Sequence, residues 1–175
     1  MDRYVIVCLL KGEVLKFHEK LVEEVCFNYK VRPQKLPAHF TIKAPFETEN
    51  IKEIENILDS FTKDKSKQLL EVSGFDHFRD AVIYMKVLPS KEAIDIHDQF
   101  IDELKNIPWL HWKPHEGKEK IYHCTIVSKL RSDKFHPIWE HVNKYNPQFQ
   151  THFDNISILK WNGERWEVYR EYLFN

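Results

Sequence analysis

The chain of 175 residues has little of what marks secreted or membrane proteins. It holds only three cysteines, Cys8, Cys26 and Cys124, and this odd number, with two of them in apolar segments, argues against a disulfide framework. No apolar run approaches the about 20 residues that cross a bilayer, and the first residues lack the pattern of a signal peptide. The sequence therefore predicts a cytoplasmic protein with reduced thiols and no membrane partner.

The chain also lacks an excess of charge of either sign. It has 26 Lys and Arg against 27 Asp and Glu, a formal net charge of −1, so no overall field attracts duplex DNA. A small phosphorylated nucleotide or an RNA 3′ end remains a compatible partner. With 42% hydrophobic residues the chain can form a core, and we expect one domain over residues 1–175, made of two packed lobes and monomeric.

One short pattern, His-x-Thr-Ile, occurs twice, at residues 39–42 and 123–126. Both copies lie in apolar, β-prone segments, which predicts two strands. Because side chains alternate along a strand, the His and the Thr of each copy share one face, whereas the residue between them and the Ile point the other way. The sequence thus predicts two imidazoles and two hydroxyls presented in the same manner.

This set of groups suits phosphodiester chemistry. An imidazole titrates near neutrality, at about 6.5, so one His can accept a proton from an attacking water while the other donates one to the leaving oxygen. The Thr hydroxyls can donate to phosphate oxygens. Two other interpretations stay open: a His or a Thr on a strand is usually structural, and His is a common zinc ligand. No ligand cluster accompanies either motif, so we predict neither a metal nor another cofactor.

The motifs carry a resemblance. Residues 37–46, Pro-Ala-His-Phe-Thr-Ile-Lys-Ala-Pro-Phe, followed far downstream by residues 123–126, resemble the two-histidine (2H) phosphoesterase superfamily, which includes 2′-5′ RNA ligase-like proteins and cyclic nucleotide phosphodiesterases. The resemblance implies a catalytic set of His39, Thr41, His123 and Thr125. It also implies substrates such as 2′,3′-cyclic phosphates, 2′-5′ linkages, ADP-ribose cyclic phosphate or RNA 3′ ends.

The expected function is a metal-independent phosphodiesterase that acts on a 2′,3′-cyclic phosphate or a related RNA or nucleotide phosphodiester. Two alternatives are 2′-5′ RNA ligase activity, since the reverse reaction uses the same groups, and a module that binds a nucleotide or an RNA end without turnover. The sequence does not choose which His is the base.

Residues near the motifs are candidates for substrate contacts. Lys43 extends the face of the first motif, and Lys129 extends that of the second if its strand continues. Three aromatic side chains could stack on a nucleobase, with core packing as the alternative: Trp112, Tyr122 and Phe46.

The order of predicted elements repeats along with the motif. Strand, helix, motif strand, helix and two strands occur in each half, which predicts an α+β fold: a two-lobed, pseudo-symmetric duplication with antiparallel sheets, flanking helices and a central cleft. A single strand is predicted over 153–161, and a hairpin turn at Asn162-Gly163. The polar segment 107–120, with two prolines and a glycine, predicts a mobile loop beside the cleft.

Overall fold

The computed structural model describes residues 1–175 as two four-stranded antiparallel sheets with four α-helices, which confirms the predicted α+β duplication. The first sheet has the order β2-β1-β7-β8 and the second the order β5-β4-β3-β6. The strands are β1 (Asp2–Leu9), β2 (His39–Thr48), β3 (Gln68–Phe78), β4 (Val82–Pro89), β5 (His123–Val127), β6 (Gln148–Phe153), β7 (Asn155–Trp161) and β8 (Trp166–Leu173). The helices are α1 (Glu13–Tyr29), α2 (Ile51–Phe61), α3 (Lys91–Lys105) and α4 (Ser132–Val142), and a 3₁₀ turn, Thr62–Asp64, follows α2.

The lobes are not the two halves of the chain. β3 precedes β4 and the second motif, yet it lies in the second sheet between β4 and β6, whereas β7 returns from the second half to pair with β1. Each sheet therefore contains strands from both halves. The chain passes from the first sheet to the second after β2 and returns to the first after β6. All strand pairs in both sheets are antiparallel.

The strand predicted over 153–161 is wrong as a single element. The strand is interrupted at Asp154, where the chain leaves the second sheet after β6 and enters the first as β7. The buried side chain of Asn155 holds this crossing point, since its Oδ1 accepts from the Leu9 amide at 3.0 Å and its Nδ2 donates to the Leu9 carbonyl at 2.9 Å. The hairpin at Asn162-Gly163 is confirmed; Gly163 has a φ of 99°, which favours glycine.

One large apolar core lies under both sheets and the helices. It includes Ile6 and Cys8 of β1 and Ile83 and Met85 of β4, all fully buried. A small second cluster, Val5, Val7 and Leu159, occupies the opposite face of the first sheet. That opposite face is the one that carries the first motif, as the strand register shows below. No helix is both long and apolar enough to span a membrane.

Candidate active site

The two motif strands are edge strands that meet. β2 is the first strand of one sheet and β5 the first strand of the other, and the two strands contact each other. Each strand begins at its motif histidine, His39 in β2 and His123 in β5. The fold therefore brings both motifs to one place, between the sheets, as the duplication predicted.

Each motif ends in a β-bulge at the same position. In the first sheet Thr41 pairs with Val7 and Lys43 with Ile6, so β2 has one extra residue at Ile42. In the second sheet Thr125 pairs with Tyr84 and Val127 with Ile83, so β5 has one extra residue at Ile126. The duplication thus extends to the bulges.

The register places each His and Thr on the face away from the main core. His39 pairs with Leu9 and Thr41 with Val7, and both partners belong to the small cluster on the opposite face or pack against it. His123 pairs with the exposed Lys86, while the intervening Cys124 lies in the main core. The predicted shared faces are confirmed for both motifs.

Both histidines are held in the same tautomer. His39 Nδ1 donates to the Pro37 carbonyl at 2.7 Å, and His123 Nδ1 donates to the Ile121 carbonyl at 2.8 Å; a carbonyl can only accept, so Nδ1 carries the proton in both rings. In the neutral rings Nε2 is then the basic nitrogen, and neither Nε2 has a protein partner. Each motif thereby presents one basic or, once protonated, one acidic Nε2.

The two imidazoles differ in burial. His39 is only 7% exposed, and this burial, with smaller effects from His18 and His123, lowers its pKa to about 4. His123 is partly exposed; burial again lowers its pKa, and repulsion by Lys120 adds to the effect. At neutral pH the fold therefore favours the neutral form of both rings, most strongly that of His39.

The remaining motif residues are compatible with proton transfer by the two imidazoles. Thr41 and Thr125 accept side-chain hydrogen bonds through their backbone carbonyls, and their hydroxyls remain available as donors. Cys124 lies next to His123 but is fully buried, and burial raises its pKa to about 12, which leaves it a core thiol instead of a nucleophile.

Lys43 does not extend the face of the first motif, contrary to prediction. The bulge at Ile42 turns it to the core side, where it pairs with Ile6 and is 2% exposed. Its ammonium donates to both Glu116 carboxylate oxygens, at 3.0 and 3.1 Å. Lys43 therefore holds the loop before the second motif and does not face the two imidazoles.

Glu116 is the centre of that loop. Besides Lys43, its carboxylate accepts from the Ala44 and Lys113 amides, at 3.0 and 2.6 Å. The backbone and Lys43 interactions outweigh the effect of burial and lower the Glu116 pKa. The loop predicted over segment 107–120 is packed against the protein, because the largely buried Glu116 carboxylate ties it to β2 and Gly117 lies against Ile101.

Three predicted stacking residues lie on the core side. Trp112 packs against the main core with the Lys43 ammonium 4.9 Å from its ring centroid, and Tyr122 packs edge-on against Phe40 at 5.4 Å. Phe46 pairs with Tyr4. All three pack against the main core, so the core-packing alternative describes them.

Lys129 also lies off the motif face. β5 ends at Val127, and Lys129 is exposed with a φ of 54°, so the alternation does not reach it. The condition that the strand continues is not met.

Sequence reasoning missed the side chains around His123. The rings of Phe78 and Tyr84 lie 5.0 and 5.2 Å from the imidazole centroid and 4.5 Å from each other, and form an aromatic wall beside it. Tyr84 shares the motif face because it pairs with Thr125. Only strand pairing reveals this, so no local signal could have identified the wall.

Two further side chains were missed, and both bind motif carbonyls. His18 Nε2 donates to the Thr125 carbonyl at 2.9 Å, and Lys120 Nζ donates to the Thr41 carbonyl. His18 had the helical spacing of an apolar stripe, and Lys120 belonged to a charged loop. No group of three or more His, Cys, Asp or Glu side chains is arranged to hold a metal ion.

Comparison with known proteins finds a family model that matches most of the chain. The family model described as the 2′-5′ RNA ligase superfamily matches residues 13–165. No match is found among curated proteins.

Solved structures share the fold over nearly the whole chain. TT0787 of Thermus thermophilus is 14% identical, with a TM-score of 0.63 and coverage of 98% of this chain and 97% of that one. A protein described as a phosphoesterase is 12% identical, with a TM-score of 0.66 and coverage of 99% and 98%. E. coli LigT, complexed with 3′-AMP, is 12% identical, with a TM-score of 0.61 and coverage of 99% and 98%. At these identities the likeness shows the fold.

Proposed function

Because the chain belongs to the 2′-5′ RNA ligase superfamily, as its motifs predicted, we propose that it is a metal-independent phosphodiesterase that opens a 2′,3′-cyclic phosphate on a nucleotide or at an RNA 3′ end. One observation carries the proposal. Two imidazoles from edge strands that meet have their Nδ1 protons bound by backbone carbonyls, which leaves two Nε2 atoms for proton transfer.

In the proposed reaction a water oxygen attacks phosphorus as one Nε2 accepts the water proton. The bond between phosphorus and a ribose oxygen breaks, and that oxygen takes a proton from the other, protonated Nε2. The Thr41 and Thr125 hydroxyls donate to the non-bridging oxygens, where negative charge develops. The product is a phosphate monoester, and solvent restores the two protonation states.

Burial supports a division of labour. His39 has a pKa of about 4, so at neutral pH it is neutral and can act as the base. His123 is the more exposed ring, so it is desolvated less and is the better candidate for the protonated acid. A bound phosphate anion would raise both pKa values and favour the protonated His123 further.

The substrate class has support from a relative. LigT is described in complex with 3′-AMP and with NADP⁺, both phosphorylated nucleotides. A nucleotide monoester is also what opening a cyclic phosphate would release. The ligase alternative keeps the same groups and differs only in the acceptor, a ribose hydroxyl in place of water.

The test is turnover of a panel of 2′,3′-cyclic nucleotides and cyclic-phosphate oligonucleotides after exhaustive treatment with EDTA, with products identified by chromatography. We expect nucleoside monophosphates from the wild type and from His136→Ala, a matched control whose imidazole is exposed on α4. His39→Ala and His123→Ala should be nearly inactive. A cyclic-phosphate donor with a 5′-hydroxyl oligonucleotide tests for ligation.

Three outcomes separate the hypotheses. Joined oligonucleotides without hydrolysis would favour the ligase, and tight binding without any turnover would favour a binding module. Activity that disappears with EDTA and returns with a divalent metal would overturn the proposed mechanism.

A further inference from the structure

A buried side chain, His18, and a half-buried one, Lys120, bind the motif strands, and the proposed acid–base mechanism uses neither. His18 lies on α1, before the first motif, and binds the second motif strand at the Thr125 carbonyl. Lys120 lies before the second motif and binds the first motif strand at the Thr41 carbonyl, with the Ile42 carbonyl at 3.4 Å. The arrangement is reciprocal, because each motif is held by a residue that precedes the other motif.

Both carbonyls lie at positions where the sheets provide few backbone hydrogen-bond donors. β2 and β5 are edge strands, so part of each backbone has no neighbouring strand to bond with, and both carbonyls belong to residues beside a bulge. A buried carbonyl without a donor is costly. His18 and Lys120 supply donors at equivalent points of the two lobes.

These bonds also set the site geometry. The bound carbonyls belong to the motif threonines, two residues after His39 and His123. Lys120 immediately precedes Ile121, whose carbonyl holds His123 Nδ1, so one side chain connects β2 to the turn that orients the second imidazole.

We propose that Lys120 and His18 are positioning residues, which hold the two motif strands in mutual register by donating hydrogen bonds to the Thr41 and Thr125 carbonyls. The proposal rests on the proposed function of the two motifs. In this role Lys120 Nζ and His18 Nε2 bind backbone carbonyls and not the substrate.

The electrostatic surroundings of Lys120 are consistent with a half-buried ammonium bound to the backbone of β2. Burial lowers the pKa of Lys120 to about 7, against attraction from Glu116 and Asp98. Its ammonium lies over the Tyr122 ring at 5.4 Å. Burial is the main cause of the lowered pKa values of His97 and His123, and repulsion by this ammonium adds to both. The other groups facing His123 are the ring of His39, which it repels, and the uncharged Phe78 and Tyr84.

The experiment compares Lys120→Met and Lys120→Arg with Lys118→Met, a matched control whose lysine forms an exposed salt bridge to Asp102. Three quantities are measured: kcat and KM on a cyclic nucleotide, the His123 pKa by ¹⁵N NMR of labelled histidine, and the urea midpoint. His18→Leu and His18→Gln form a second pair, since only glutamine keeps an N–H donor.

We expect Lys120→Met to lower kcat by about 10–100-fold, the cost of misplacing a catalytic group by about an ångström, with KM little changed. The His123 pKa should rise, because the repelling ammonium is gone. Lys120→Arg and His18→Gln should recover most of the loss, and Lys118→Met should match the wild type.

A Lys120→Met variant whose kcat and His123 pKa match those of Lys118→Met would overturn the proposal, even if its urea midpoint falls. The NMR measurement also separates the two proposals. If the wild type turns over no substrate, the proposed function fails, whereas the positioning role is tested by whether His123 in Lys120→Met loses the Nδ1-protonated tautomer that the Ile121 carbonyl holds in the wild type.

Discussion

The two motif strands have the same backbone design but different surroundings. In β2 the motif His39 is buried, and the residue after the bulge is Lys43, which binds the loop residue Glu116. In β5 the motif His123 is partly exposed beside an aromatic wall, and the residue after the bulge is Val127, a core residue. Duplication fixed the positions of two equivalent imidazoles, and the non-equivalent environments give them different proton affinities.

The difference in burial indicates how two copies of one motif can take different roles, one as the base and the other as the acid. A pseudo-symmetric pair with identical pKa values would have no preferred direction of proton transfer. Greater desolvation of His39 keeps it neutral and basic, whereas the more open His123 takes up a proton more readily. Burial, and not the identity of the residues, separates the proposed roles.

The largest effect should come from removing either imidazole. His39→Ala and His123→Ala should each lower turnover of a cyclic nucleotide by roughly 10²–10⁴, the usual contribution of a general acid or base. The double variant should be little worse than either single variant, because the two act as one unit. Steady-state kinetics checks this, and full activity in either single variant would remove the paired mechanism.

The Lys43–Glu116 ion pair, which β2 has and β5 lacks, should contribute strongly to the free energy of unfolding. Lys43→Met leaves Glu116 without its cationic partner in a largely buried site, which should cost about 3–5 kcal/mol of unfolding free energy. Lys43→Met combined with Glu116→Gln should recover part of the loss. Urea denaturation measures both, and an unchanged midpoint for Lys43→Met would show that the pair does not hold the loop.

The unequal pKa values predict an acid-shifted pH profile. If the proposed mechanism holds, kcat/KM should rise as His39 of the unliganded protein loses its proton near pH 4 and fall as His123 loses its proton below the ordinary value of about 6.5. The optimum should therefore lie between these limits. A profile of kcat/KM from about pH 3.5 to 9 tests this, and an optimum above neutrality would contradict the burial argument.

The threonines should contribute least, and about equally. Thr41→Val and Thr125→Val each remove one donor to a charged phosphate oxygen, at a cost of about 1–2 kcal/mol, or roughly 5- to 30-fold in kcat/KM. Thr41→Ser and Thr125→Ser keep the hydroxyl and serve as controls. Serine variants as impaired as the valine variants would show that the methyl group, and not the hydroxyl, matters.

Sequence periodicity predicted the local parts of this structure well. Two examples of features that depend only on neighbouring residues are the apolar stripe of α1 and the cap of α3, where the Ser90 hydroxyl accepts from the Ala93 amide at 3.1 Å. The alternation within each motif is equally local, so the shared faces of His39 with Thr41 and of His123 with Thr125 followed from the sequence.

Features that depend on strand pairing could not be predicted in this way. The bulge at Ile42 reverses the expected direction of Lys43, and nothing in residues 39–46 marks it. The exchange of β3 and β7 between the sheets and the aromatic wall beside His123 likewise depend on partners far away in sequence. The packing of Glu116 depends in the same way on Lys43, a partner that is 73 residues away in the sequence.

The most direct test of unequal roles uses a substrate that needs no acid. A cyclic phosphorothiolate, with sulfur in place of the leaving oxygen at the 2′ or the 3′ position, releases a thiolate that requires little protonation. With His39 as base and His123 as acid, His123→Ala should lose roughly 10²–10⁴ on the oxygen substrate but only a few-fold on the sulfur substrate, whereas His39→Ala should lose as much on both. The opposite pattern would exchange the roles, and equal losses for both variants on both substrates would contradict the division of labour between the two motifs.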